Sequence, residues 1–334
     1  MTLPTGLGLS RRHLLFGAGA LLPMGLLSAC GAKPAQQASG PLRVSITGKG
    51  ESDTRLLFKA AGIETGLDLH YSEFQGGNLV VEALNGGSLD YGGMSEIPPI
   101  FALGSPIQSF RQIAVLHGDV NNQVVLVPKG SKIEKLEDLK GKRVGYVRAT
   151  TSQYFLIKML ESVGLSFDDI TPVALGVTDG ASAFSQGALD AWAIYGFPIQ
   201  RAVATEGARV LKTALGFLSG NYLVVAHVDA LKNLAKVAEI RQYLGLLRQA
   251  YAWAAGHQDQ WAEIVAKEIG VPLEYVRDQF ANKSDNYELR PVTEAAIQSQ
   301  QEVADTFTRA GVLAKPVDVR FLWDDRFNDI LGAV

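Results

Sequence analysis

Two stretches of this 334-residue chain repeat one another at a separation of one hundred positions. Arg43-Val44 returns as Arg143-Val144, and Ala83, Gly87, Leu89 and Asp90 return as Ala183, Gly187, Leu189 and Asp190. In each half the order is strand, helix, helix, glycine, then "LD" opening a strand. A helix ending at glycine before the next strand is common grammar, so part of the match is generic. The shared spacing of the whole set is better explained by two lobes of like topology facing each other.

The text between these marks fits. "PLRVSIT" reads as a strand, residues 51–61 as a helix, "LDLHYSEF" as a strand, "NLVVEALNGG" as a helix and "LDYGGM" as a short strand. The pattern resumes after "KLEDLKGKRVGYV" with the helices "SQYFLIKMLESVG" and "GASAFSQG" and the strand "LDAWAIYG". Strands alternating with helices of this length imply parallel sheets in an α/β fold. "NNQVVLVPKG" leads out of the first half and "GNYLVVAHVD" follows the second; both have strand character, and the chain is then mostly helical. Two extended crossings with a returning tail would make a hinged clamshell.

The amino terminus stands apart. Arg11 and Arg12 precede the apolar run "LLFGAGALLPMGLL", which is followed by Ser28, Ala29 and Cys30. That is a secretory leader, residues 1–29, too short for a comfortable membrane span of about 20 residues. Leu27-Ser28-Ala29-Cys30 has the form of a lipoprotein box, in which the cysteine is lipidated, and "SRRHLLF" resembles a twin-arginine export signal. The alternative is that Cys30 is incidental to an ordinary cleavage site, leaving a soluble protein. As the only cysteine, it excludes a disulfide or thiolate cluster within one chain. Residues 30–41 read as a tether. Loss of the leader takes the net charge from −3 to about −5, which gives no footing for nucleic acid.

Catalytic signatures are missing. His13, His70, His117, His227 and His257 have no HExxH spacing, and there is no GxSxG elbow, P-loop or GxGxxG. No metal cluster or cofactor motif is recognisable. What recurs instead is polar loops at strand ends: Thr47-Gly48-Lys49, Gln75 with Gly76-Gly77-Asn78, Ser95-Glu96, and Thr150-Thr151-Ser152. A helix N-terminus offers free N–H groups and a positive dipole end, a natural anion seat, although Thr or Ser there equally serves as an ordinary cap. Open α/β sheets bind ligands at the carboxyl ends of their strands. Lys49 and Arg148 are the nearby cations, and either suits a solvated face.

"EFQGGNLVVEALNGGSLDYGGMSEIPPIFAL", "DLKGKRVGYVRATTSQYFLIKMLESVGL", "GALDAWAIYGFP" and "QQEVADTF" resemble, in that order, the aliphatic sulfonate-binding proteins of ABC importers and their nitrate, taurine and thiamine-precursor relatives. The resemblance runs from Leu42 to Trp323. It implies a type II periplasmic-binding-protein fold: two lobes of mixed sheet flanked by helices, joined by two hinge crossings, with residues 42–124 and 223–334 in one lobe and 125–222 in the other. It further implies a monomeric carrier without cofactor that hands a small organic anion, an aliphatic sulfonate, to a membrane permease in the periplasm. The family's ligand loops fall on Thr47, Gly48, Lys49, Gln75, Gly77, Asn78, Ser95, Glu96, Thr150, Thr151 and Ser152, and Tyr195 is expected as a cleft wall.

Departures from the family bear on cargo. Tyr71 stands where tryptophan is frequent, Asn78 for proline, Ala149 for glycine and Gln153 for histidine. Ala149 still permits the tight turn if its φ is negative, and Gln153 cannot become cationic, so an anion there depends on neutral donors. The competing functions are a nitrate- or taurine-type binding protein, and a secreted enzyme on the same fold acting on a heterocyclic, thiamine-precursor-like substrate, with His70, His117 or Asp179 as base. In the tail, Val303, Phe307 and Ala310 have helical spacing and predict a buried stripe.

Overall fold

The computed structural model describes residues 40–104 and 109–332, so the leader, Cys30 and nearly all of the tether lie outside the described residues. In chain order the elements are β1 (Leu42–Thr47), α1 (Thr54–Ala60), β2 (Leu69–Phe74), α2 (Gly77–Asn85), β3 (Tyr91–Ser95), α3 (Pro98–Ala102) and β4 (Phe110–His117). There follow β5 (Gln123–Val127), β6 (Arg143–Tyr146), α4 (Thr151–Glu161), β7 (Thr171–Ala174), α5 (Val177–Ser185), β8 (Ala191–Tyr195), α6 (Pro198–Glu206) and β9 (Arg209–Thr213). The tail comprises β10 (Asn221–His227), α7 (Val228–Lys232), α8 (Leu234–Gly256), α9 (Gln258–Ile269), α10 (Leu273–Ala281), β11 (Glu288–Arg290), α11 (Glu294–Arg309) and α12 (Asn328–Leu331). Strand β11 interrupts a tail that the sequence reads as helical.

Two mixed sheets result, ordered β11-β4-β10-β3-β1-β2 and β7-β6-β8-β5-β9. In each, three parallel strands meet an antiparallel neighbour: β3 meets β10, and β8 meets β5. Val44 pairs with Tyr91, and Val144 pairs with Ala191, so the hundred-residue spacing holds in the register itself. Its physical origin is a clamp. Arg43 donates its backbone N–H (2.9 Å) and guanidinium (2.6 Å) to Asp90 and a further N–H to the Gly87 carbonyl (2.5 Å). Arg143 does the same to Asp190 (2.8 and 2.8 Å) and the Gly187 carbonyl (3.1 Å). Each clamp ties the start of one strand to the turn that opens its parallel neighbour, where a bidentate fork is strongest.

Helices cover both faces of each sheet. Leu57, Tyr243, Leu247 and Trp261 pack with Leu42 and Val44 on one face of the first, and Val80, Leu84 and Phe110 form the cluster opposite. The first helix begins at Thr54 rather than at 51, because the Asp53 carboxylate accepts the N–H groups of Arg55 (2.9 Å) and Leu56 (3.3 Å) as an N-cap. Residues Gly50–Ser52 make a separate 3-10 turn carrying Glu51. In α11, Val303 and Phe307 are buried as expected, whereas Ala310 is an exposed C-cap and Ala304 takes its place. That stripe packs against Ile97 and Ile100 beside α3 and against Tyr154 and Ile157 of α4.

The chain passes between the sheets at residues 118–122 and 214–220. Gln123 and Val124 already pair in the second sheet, and Asn221 and Tyr222 in the first. The crossings touch: the Gly118 N–H donates to the Gly220 carbonyl (3.0 Å). A Cβ on Gly220, where φ is +82°, would sit 2.9 Å from the Gly118 carbonyl oxygen, so this approach requires glycine.

Candidate functional site

A cavity of about 210 Å³ opens among the carboxyl ends of β1, β3, β6 and β8, where parallel strands release their loops. Gly77, Thr151, Val177 and Pro198, the first residues of α2, α4, α5 and α6, all line it, so four positive helix ends face one space. Lys49 and Glu51 are the only formally charged residues among the described lining, and Lys49 is exposed. Arg148 is exposed and lies outside the lining.

Of the residues expected at the site, Thr47, Gly48, Lys49, Gln75, Gly77, Ser95, Thr150, Thr151 and Tyr195 line this cavity. Their hydroxyls are not equivalent. Thr47 Oγ1 donates to the Gly93 carbonyl (3.1 Å), and Thr150 Oγ1 donates to the Val147 carbonyl (2.8 Å). Thr151 has no such side-chain bond among the described residues, although it is 6% exposed. Tyr195 Oη is buried without a partner at hydrogen-bonding distance. Burial raises its pKa, and the nearby Thr150 hydroxyl opposes the rise only in part. Gly76 makes room for it: a Cβ there would sit 3.0 Å from the Tyr195 hydroxyl. Across the same gap the Thr178 hydroxyl donates to Gln75 Oε1 (3.2 Å). Gly77 is fixed by close approach, since its Cβ would meet Met94 Cβ at 2.7 Å.

Asn78, Glu96 and Ser152 fall outside the lining. Asn78 lies over Gly76. Ser152 is fully buried and closes its own turn, with Oγ accepting the Val147 N–H (2.9 Å). Glu96 faces a smaller void beside Ser219 and accepts hydrogen bonds from Ser219 Oγ (2.6 Å) and Ser299 Oγ (3.1 Å). Burial pushes its pKa up to about 7 against those donors. Ala149 does not meet the condition of a negative φ, because its φ is +58° and the turn forms all the same. Its N–H donates to Gln153 Oε1 (2.8 Å), so the glutamine braces this left-handed turn. Trp192 is core, 1% exposed.

The sequence reading missed one whole wall. Glu51, Asn122, Gln123, Tyr222, Tyr251 and Tyr287 line the cavity from five distant segments. Glu51 is ion-paired with Lys283; burial raises its pKa, and the lysine holds part of that rise back. The one sequence signal was a tyrosine at the start of the second crossing strand, in "GNYLVVAHVD". His70, His117 and Asp179 do not line the cavity. Among the described residues no group of three or more His, Cys, Asp or Glu is arranged to hold a metal.

The family model described as NMT1/THI5 like matches residues 63–261. A protein of Escherichia coli (strain K12) named for aliphatic sulfonates binding is 31% identical over 253 residues, covering 75% of this chain and 78% of the relative. Among solved structures, the alkanesulfonate-binding protein SsuA from Xanthomonas axonopodis pv. citri, bound to MOPS, superposes with a TM-score of 0.75 at 27% identity, over 86% of this chain and 99% of that one. The desulfurization enzyme DSZB has a TM-score of 0.58 at 16% identity, over 87% and 98%, a likeness of fold alone.

Proposed function

The chain belongs to the NMT1/THI5-like family, and from that membership we propose that it is the extracytoplasmic solute-binding protein of an ABC importer, carrying a small organic anion of the aliphatic sulfonate class. The observation that carries the reading is the convergence of the helix ends of α2, α4, α5 and α6 on one cavity with the free hydroxyls of Thr151 and Tyr195. An anion is then held by oriented neutral donors, whose own desolvation costs less than that of a buried cation. The apolar walls of Met94, Leu116, Phe197, Leu223 and Leu247 suit an alkyl tail.

In this reading the two sheets are lobes that close about the Gly118 and Gly220 crossings, and the closed form is what the permease receives. The protein works in the periplasm as a monomer, held to the membrane by a lipid on Cys30; intact mass of the mature chain tests the lipid. It binds and does not turn over its cargo. The enzyme reading shares only its fold with DSZB, and its candidate bases do not line the cavity.

Isothermal calorimetry against a series of alkanesulfonates tests the proposal. Removing one hydrogen bond to a charged group costs roughly 1.5–3 kcal/mol, so Thr151→Ala weakens binding by about 10- to 100-fold. Unchanged affinity in this variant would remove the α4 end from the site.

A further inference from the structure

Thr150-Thr151-Ser152-Gln153 has the spacing of a capping box, in which a threonine ahead of a helix and a glutamine three residues on each accept the other's backbone N–H. Neither half of the box is made. Thr150 is the N-cap of α4 and extended, yet its side chain caps nothing. Its hydroxyl donates backward to the Val147 carbonyl (2.8 Å), and Gln153 Oε1 accepts the N–H of Ala149 (2.8 Å) instead of that of Thr150. The helix ladder opens with the Tyr154 N–H on the Thr150 carbonyl (3.3 Å). The N–H groups of Thr151, Ser152 and Gln153 come before it and are the donors a helix start leaves over. No side chain caps them, and none of the three residues is more than 6% exposed.

Both partners of the box are present, so something keeps it open. Ala149 is the one non-glycine residue at positive φ among the described residues. Backbone in that region persists only where its surroundings over-determine it, and it collects at ligand sites. Here the determinant is Gln153, 4% exposed, which takes the Ala149 N–H and is thereby withheld from Thr150. The other helix starts on the cavity need no such device. Those of α2 and α5 follow glycines and that of α6 follows Phe197, none of which has a side-chain oxygen to cap with. Of the four, α4 alone could cap itself, and there the cap is held off.

Building on the anion reading above, we propose that Gln153 is a positioning residue for the cargo: by taking the Ala149 N–H it holds this capping box open, so that the anionic head rather than Thr150 caps α4.

Calorimetry decides this with butanesulfonate, butanoate and butylphosphonate, the tightest binder to the unaltered protein serving as probe. Gln153→Met keeps the buried volume but gives up the oxygen, so the box closes through Thr150. The probe then binds about tenfold weaker or worse, the worth of one hydrogen bond to a charged group. Adding Thr150→Val, which has no hydroxyl to close the box, brings the affinity back to within about threefold of the unaltered protein. A residue that only supports the fold predicts the reverse, because the second change deletes a further buried hydrogen bond. Unchanged affinity in Gln153→Met, or a double variant no tighter than the single one, overturns the proposal and leaves the anion reading standing. Amide hydrogen exchange on the unaltered protein needs no variant to fold. The Ala149 N–H is protected with and without probe, whereas those of Thr151, Ser152 and Gln153 gain protection only with it; any other pattern overturns the proposal. If butanoate or butylphosphonate binds and butanesulfonate does not, the head-group reading fails and the variants still decide this one. If none of these compounds binds the folded protein, both fail.

Discussion

Glu96 gives a prediction whose size follows from burial. Its side chain is 2% exposed and meets two hydroxyl donors, from Ser219 on the second crossing and Ser299 on α11, but no cation. Burial lifts its pKa from the ordinary 4.5 to about 7. The folded protein thus binds this proton more tightly than the unfolded chain does. The stabilisation is fully present below about pH 4.5 and is lost as pH rises through about 7, a difference of about 3 kcal/mol at 1.36 kcal/mol per unit. Glu96→Gln removes the ionisation while keeping an oxygen for Ser219 and giving Ser299 a donor to accept from. Urea unfolding of both proteins between about pH 4.5 and about pH 8 should therefore give stabilities that coincide at the acid end. At the alkaline end the glutamine variant should be more stable by about 3 kcal/mol. Parallel curves, or a wild type that gains on the variant as pH rises, would refute the assignment of a neutral buried carboxyl.

Ala149→Gly should stabilise the protein, since an L-residue in the left-handed region costs roughly 1–2 kcal/mol and glycine's extra unfolded-state entropy returns about 0.4–1. A rise of about 1–3 °C in calorimetric melting is expected, and a fall would mean the turn is not strained as described. The two clamps should differ in worth. The Asp90 side chain is 7% exposed and that of Asp190 33%. Asp90→Ala is therefore expected to cost about 2–3 kcal/mol, towards the buried-pair range, and Asp190→Ala about 1 kcal/mol, as for screened pairs. Chemical denaturation giving equal costs would show that burial does not separate them. For Asp90, burial opposes ionisation but the bonds from Arg43 outweigh it and lower the pKa, so this clamp weakens in acid as the carboxylate protonates, which a pH series on Asp90→Ala would register as a shrinking penalty.

The hundred-residue repeat was readable because its cause is local and covalently spaced. The arginine opening a strand and the aspartate opening its parallel neighbour stand 47 residues apart in both halves, with two helices and a strand between them. The polar loops at strand ends were readable for the same reason, as strand direction and helix starts follow from short-range pattern. Which of the hydroxyls in one such loop faces the cavity was not readable. Thr150, Thr151 and Ser152 are adjacent, and only the packing of the turn around Val147 decides that the first and third bond inward while the second is free. The sign of φ at Ala149 depends on the same turn, with Gln153 as its brace. The cavity wall missed from sequence was beyond any local pattern, because Glu51, Gln123, Tyr222, Tyr251 and Tyr287 are brought together only by long-range packing of the tail with the first sheet. Sequence periodicity records what each segment buries, whereas a shared cavity depends on long-range packing that leaves certain polar atoms without a protein partner.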